Sequence, residues 1–146
     1  MTSVLLLSGP NLNLLGDREP DIYGTDTLDD LVARAGKVAE VEGLELEHVF
    51  SNDEAVLVEA IQNARRVHGA IIINAAALTH YSWSIHDALC AFDGVIVELH
   101  LSNPHRREPF RHVSVIADVA HVIIAGAGGL GYELAVHAAA DHLRRR

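Results

Sequence analysis

The sequence predicts an α/β domain on a five-stranded parallel sheet, doubly wound in the order 2-1-3-4-5. Four short apolar runs, Val4–Leu7, Ala70–Ile73, Val95–Val97 and Val122–Ala125, show no alternation, as expected of parallel strands covered on both faces. A fifth run, Leu44–Phe50, alternates for most of its length. One of its faces is therefore wet, which places it at an edge. Segments with three- and four-residue apolar steps separate these runs, and alternating strand and helix build a doubly wound sheet. An edge position for the second strand selects the flavodoxin-like order.

The helices follow in turn. Leu28, Leu31, Val32, Ala35, Val38 and Ala39 share one helical face, with Thr27 as its cap and Gly43 as its end. Ser51 and Glu54 have capping-box spacing for a second helix carrying Val58, Ile61 and Ala64. A third covers Ser84–Phe92 and a last one Gly131–Leu143. Between the first strand and the first helix lies GPNLNLLGDREPDIYG, residues 9–24. A connection of that length without secondary structure is uncommon, and is either a functional lid or disordered.

At 146 residues the chain fits one domain spanning residues 1–146. A hydrophobic share of 49% beside 21% charged residues describes an ordinary soluble protein. The net charge of -9 argues against a nucleic-acid partner, because phosphate binding needs clustered Lys and Arg. The basic run Arg144–Arg146 reads as a solvated helix end. The single cysteine, Cys90, excludes an internal disulfide, and its apolar surroundings from Ala88 to Phe92 suggest a buried, inert thiol. The N-terminus lacks a signal-peptide pattern, and no stretch is long enough to be a membrane span. The expectation is a cytoplasmic enzyme or binding module.

In such a sheet, ligands bind beyond the carboxyl ends of the strands. Gly9, Pro10 and Asn11 follow the first strand, and Asn74, Thr79 and His80 follow the third. The fourth runs through Glu98 and His100 into Leu101, Ser102 and Asn103, with Arg107 and Arg111 beyond. Taken alone, Asn11 and Asn74 read as turn residues bonding their own backbone. Glu98 and His100 are harder to dismiss. They point to the same face of their strand, where two ionisable groups are costly unless paired or useful. A carboxylate-held His is a ready acid or base.

Other signals are weaker. Gly126–Gly131 matches G-x-G-x-x-G, but no further strand completes a dinucleotide-binding unit. Its glycines read as close strand–helix packing. The ten histidines lack metal-site spacing, and His105 and His112 sit among arginines. A phosphoacceptor receiver would need acids after the first strand and a Lys after the last, where this chain has Ser8–Pro10 and Gly126–Gly128. A metal-assisted hydrolase using His80, Glu98 and His100, and a non-enzymatic module for small carboxylates or nucleotides, stand as alternatives.

The residues also carry a family resemblance. Gly9-Pro10-Asn11-Leu12-Asn13-Leu14-Leu15-Gly16, Arg18-Glu19-Pro20 and Tyr23-Gly24 resemble the N-terminal signature of type II 3-dehydroquinate dehydratases. The likeness continues through Ser51-Asn52, Glu54, Asn74-Ala75, Thr79-His80, Ser82 and Asp87-Ala88. It is densest at Glu98–Asn103, Arg107-Glu108 and Phe110–His112, and closes at Gly126, Gly128 and Gly131-Tyr132.

The resemblance implies dehydration of 3-dehydroquinate to 3-dehydroshikimate, in the shikimate pathway or in quinate breakdown. It implies a homododecamer, a tetramer of trimers, with no cofactor, metal or Schiff base. Tyr23 would be the base, Arg18 its activator, and Asn11 the holder of the water that stabilises an enolate. His100 would protonate the leaving C1 hydroxyl in an anti elimination, oriented by Glu98. Asn74 and the N–H groups of Leu101 and Ser102 would bind the substrate carboxylate. His80 and Arg111 would hold ring hydroxyls, Arg107 would help close the lid, and Asp87 would reach in from a neighbouring subunit. The chain departs from the family at His86, where Arg is usual, and at Trp83-Ser84 and His121.

Overall fold

The computed structural model describes residues 1–146. Five parallel strands, β1 (Ser3–Ser8), β2 (Glu45–Phe50), β3 (Ala70–Asn74), β4 (Val95–His100) and β5 (Val122–Ala125), form one sheet in the order β2-β1-β3-β4-β5. The helices are α1 (Pro20–Tyr23), α2 (Leu28–Val41), α3 (Glu54–Ala64), α4 (Trp83–Cys90) and α5 (Leu130–Arg144).

The three central strands are apolar on both faces because both faces are covered. Val4, Leu6, Ile72, Val97 and Leu99 join the core under α2 and α5, whereas Leu5, Leu7, Ile71, Ile73 and Ile96 join the core under α3 and α4. Strand β2 is an edge and alternates, as expected. Strand β5 departs from the expectation of two covered faces. It is the opposite edge, its burial alternates, and Ile123 is 54% exposed.

Helix α2 starts in a reciprocal capping box, with the Thr27 Oγ1 accepting from the Asp30 N–H and the Asp30 carboxylate accepting from the Thr27 N–H. Helix α3 is capped differently from the sequence expectation. Asp53 is its N-cap and Ser51 Oγ accepts from the Asp53 N–H. Glu54 instead accepts from the Ser82 hydroxyl, which caps α4. Cys90 ends α4 on its exposed side, so the expected burial of its thiol is not found.

The loop after β1 is not structureless. It contains a short 3-10 turn at Leu12–Leu14 as well as α1. Leu12 and Leu15 are buried in the core beside α2, which pins its first half. The segment beyond runs between Gly16 and Gly24, both with φ in the left-handed region (99° and 84°) that glycine adopts without strain.

Candidate active site

Neighbouring strands β1, β3 and β4 end side by side, with Ser8 in register with Asn74. Their following loops therefore enclose one cleft. Ten of the twelve residues singled out in the sequence line it: Asn11, Arg18, Tyr23, Asn74, His80, His100, Leu101, Ser102, Arg107 and Arg111. Glu98 stands behind His100, on the wall of an adjoining hollow. Asp87 lies outside the cleft, on α4, with its side chain 82% exposed.

The lid brings Tyr23 between two cations. The Arg18 guanidinium lies 4.8 Å from the centre of its ring and that of Arg107 lies 5.2 Å away. Such contacts contribute about 0.5–2 kcal/mol each, more as water is excluded. Arg107 also reaches Ser102 Oγ at 3.4 Å, so one side chain touches both the lid and the loop after β4. Asn11 has left-handed backbone (φ 70°), and its N–H donates to Asn52 Oδ1 at 2.8 Å, which fixes the start of the lid.

On the opposite wall, His100 Nε2 donates to Glu98 Oε2 at 2.5 Å, and Ser114 Oγ donates to the same oxygen at 2.9 Å. Both members of the pair are buried. With Nε2 committed, Nδ1 is the His100 nitrogen left for a ligand. A charge-assisted bond of this kind holds the ring far better than a neutral one.

His80 Nδ1 faces the Val113 carbonyl at 2.8 Å. A carbonyl only accepts, so Nδ1 carries the hydrogen and Nε2 is a lone-pair acceptor. Burial lowers the proton affinity of this ring, helped by its neighbours His100, Arg111 and Arg107 and opposed by the Val113 bond. Neutral His80 is thus suited to accept a hydrogen from a ligand hydroxyl.

The loop after β4 is held by its carbonyls. Those of Ser102 and Leu101 accept from the N–H groups of Gly126 and Gly128, each at 3.0 Å, while the N–H groups of Leu101 and Ser102 donate to no other backbone group. Backbone amides left free at a loop in this way can serve an anion. Arg111 pairs with Glu108 at 2.9 Å, and the Arg107 Nε is buried without a hydrogen-bond partner. A chain of net charge -9 therefore gathers three guanidinium groups on one small cleft, which favours an anionic ligand.

Some contributors carried no sequence signal. Ser114 supports Glu98 from sixteen residues away, and no local periodicity marks it. The glycine run acts partly as foreseen, since a Cβ at Gly131 would lie 3.0 Å from Leu99 Cδ1. Its other task, presenting N–H groups to the loop after β4, emerges only from the fold. The departures also have structural roles. His86 holds Asp87 through Nδ1 (3.2 Å) and Asp118 through Nε2 (3.3 Å). The Asp87 bond, with further help from Asp118, raises its proton affinity against the opposing effect of burial. His86 thus faces two carboxylates, where the resemblance leads one to expect Arg. Trp83 packs edge-on against it at 5.1 Å. His121 Nδ1 accepts from the Ile96 N–H and so extends the pairing of β4. No three His, Cys, Asp or Glu side chains gather at metal-binding spacing, and no helix is long and apolar enough to cross a membrane.

Comparison with known proteins identifies the family and agrees with the fold. The family model described as dehydroquinase class II matches residues 2–140. A 3-dehydroquinate dehydratase of Corynebacterium glutamicum (strain R) is 53% identical over 133 residues, covering 91% of this chain and 92% of the relative. A catabolic 3-dehydroquinase of Phaeosphaeria nodorum is 47% identical over 142 residues, covering 97% and 93%. The crystal structure of a type II dehydroquinase from Propionibacterium acnes superposes with a TM-score of 0.92 at 41% identity, covering 97% of both chains. A parallel sheet in the order 2-1-3-4-5, a lid carrying Arg and Tyr, and these matches have one reading: the chain belongs to the class II dehydroquinase family.

Proposed function

We propose that the protein is a hydro-lyase that dehydrates 3-dehydroquinate to 3-dehydroshikimate, serving the shikimate pathway or quinate breakdown. The observation that carries the reading is one cleft with a Tyr flanked by guanidinium groups on its lid and a carboxylate-held His on its floor. Tyr23 removes the proton next to the ketone, giving an enolate stabilised through a water on Asn11. His100 then protonates the C1 hydroxyl as its C–O bond breaks, so that a C=C bond forms and water leaves. Glu98 orients His100, and Arg18 activates Tyr23. The substrate carboxylate meets Asn74 and the N–H groups of Leu101 and Ser102. His80 and Arg111 take ring hydroxyls, and Arg107 ties the lid down. No step calls for a cofactor. The whole chain acts as one catalytic domain, in the cytoplasm.

The product is a conjugated enone, so the purified protein with 3-dehydroquinate is expected to develop ultraviolet absorbance, undiminished by a chelator. Absence of that absorbance overturns the assignment. Loss of activity on chelation favours the hydrolase alternative.

Asp87 is exposed and lies outside its own cleft, which suits a contact made in a neighbouring subunit of a homododecamer built as a tetramer of trimers. Asp87→Ala is expected to raise KM about three- to tenfold, the worth of one hydrogen bond. Light scattering on active protein checks the assembly, and a fully active monomer rules out shared sites.

A further inference from the structure

Tyr132 is a large, fully buried side chain that the proposed chemistry does not use. A buried phenol needs hydrogen-bond partners, and this one has them beneath the cleft. Asn74 Nδ2 donates to its oxygen at 3.3 Å. The Ser8 hydroxyl is its other hydrogen-bonding neighbour, and Ser8 in turn meets His48 Nε2 at 2.9 Å. The four residues come from α5, β3, β1 and β2. Ser8, Asn74 and Tyr132 are buried, with Ser8 and Asn74 in register across neighbouring strands.

The orientation of the Asn74 amide in this chain is fixed by one backbone group. The Ala76 N–H donates to the Asn74 side chain at 3.2 Å. A donor requires an acceptor, so the atom it meets is Oδ1, and the amide cannot be reversed. Nδ2 must then face Tyr132 and give it one hydrogen. Ser8 Oγ is the neighbour left to take the phenol hydrogen, since a buried O–H without an acceptor is costly. The Ser8 hydrogen passes to His48 Nε2, which must carry a lone pair. Burial disfavours protonation of His48, and the Asp29 charge only partly offsets this. Burial also keeps Tyr132 in its neutral form. With these directions every member of the chain has a partner.

We propose that Tyr132 is a positioning residue for carboxylate recognition: by taking one Nδ2 hydrogen of Asn74, it locks the amide with the other as a donor to the cleft. The inference rests on the reading that Asn74 binds the substrate carboxylate. Without the phenol oxygen, Nδ2 loses its buried partner and the amide is held on one side only.

Steady-state kinetics with 3-dehydroquinate test this. Tyr132→Phe keeps the ring that packs in the core and removes only the hydroxyl. Its KM is expected to rise from a few-fold to about tenfold, the worth of one neutral hydrogen bond. Its kcat is expected to stay close to the parent, because the groups that move protons are untouched. Asn74→Ala should raise KM at least as much, and Tyr132→Phe added to Asn74→Ala should raise it no further. Ser8→Ala, which removes the acceptor for the phenol hydrogen, should raise KM to a smaller degree, and it carries the test if Tyr132→Phe does not fold. A lowered Tm with parental KM, or an additive double variant, overturns the positioning role of Tyr132. So does parental KM in Ser8→Ala when that variant carries the test. Parental KM in Asn74→Ala overturns the carboxylate reading beneath it, so the two failures are distinguishable.

Discussion

Replacing Tyr23 by Phe is expected to lower kcat by about 10² to 10⁴, the usual contribution of a general base. KM should change little, because the ring that packs between Arg18 and Arg107 is retained. Only the oxygen is lost, and with it the one proton-accepting group of the lid that lines the cleft. An ordinary phenol is almost wholly protonated at neutrality, since its pKa is about 10. A base of that type needs nearby positive charge, which favours the ionised form. Arginine suits this task because it stays charged when water is excluded. Two guanidinium groups lie within about 5 Å of the ring centre here. Stopped-flow or steady-state measurement of enone formation gives the comparison. A Phe variant that keeps more than about a tenth of the parental kcat removes Tyr23 from the role.

The second large effect is expected at His100. Hydroxide is a poor leaving group, so His100→Ala should also lower kcat by about 10² to 10⁴. This variant should lose stability as well, for a reason visible in the structure. Glu98 is buried, its Oε1 already lacks a partner, and removing the imidazole leaves Ser114 as the sole donor to Oε2. Stranding a buried hydrogen-bonding group costs about 1–3 kcal/mol, and more when it is charged. Thermal unfolding followed beside kinetics separates the two losses. Glu98→Gln tests the orienting role, since it keeps a side-chain oxygen able to accept from His100 while removing the charge. It should lower kcat by much less than His100→Ala, with a smaller fall in Tm. Parental kcat in His100→Ala across pH excludes His100 as the acid.

Much of this architecture was legible in the linear order of residues. Apolar runs that fill strands on both faces, and three- and four-residue steps between them, are local patterns produced by covering a parallel sheet from two sides. They place the central strands and α2, with its Thr27 cap. Because loops at strand ends converge in such a sheet, they also bring the polar clusters after β1, β3 and β4 to one edge. The pairing of Glu98 with His100 follows from strand alternation and the cost of burying lone charges. The tertiary structure decided what depends on distant partners. An apolar run cannot reveal that β5 has no neighbour on one side, which is why Ile123 is exposed. Helix-end position, not composition, leaves Cys90 at the surface. Asp53, not Ser51, caps α3, and Glu54 is engaged by Ser82, twenty-eight residues away. Leu12 and Leu15 anchor the lid only because α2 and α5 present a core to receive them. The link from Asn74 to Tyr132 spans fifty-eight residues. Hydrogen bonds and burial of that range are set by which elements pack together, and a local sequence pattern records only the faces, not their partners.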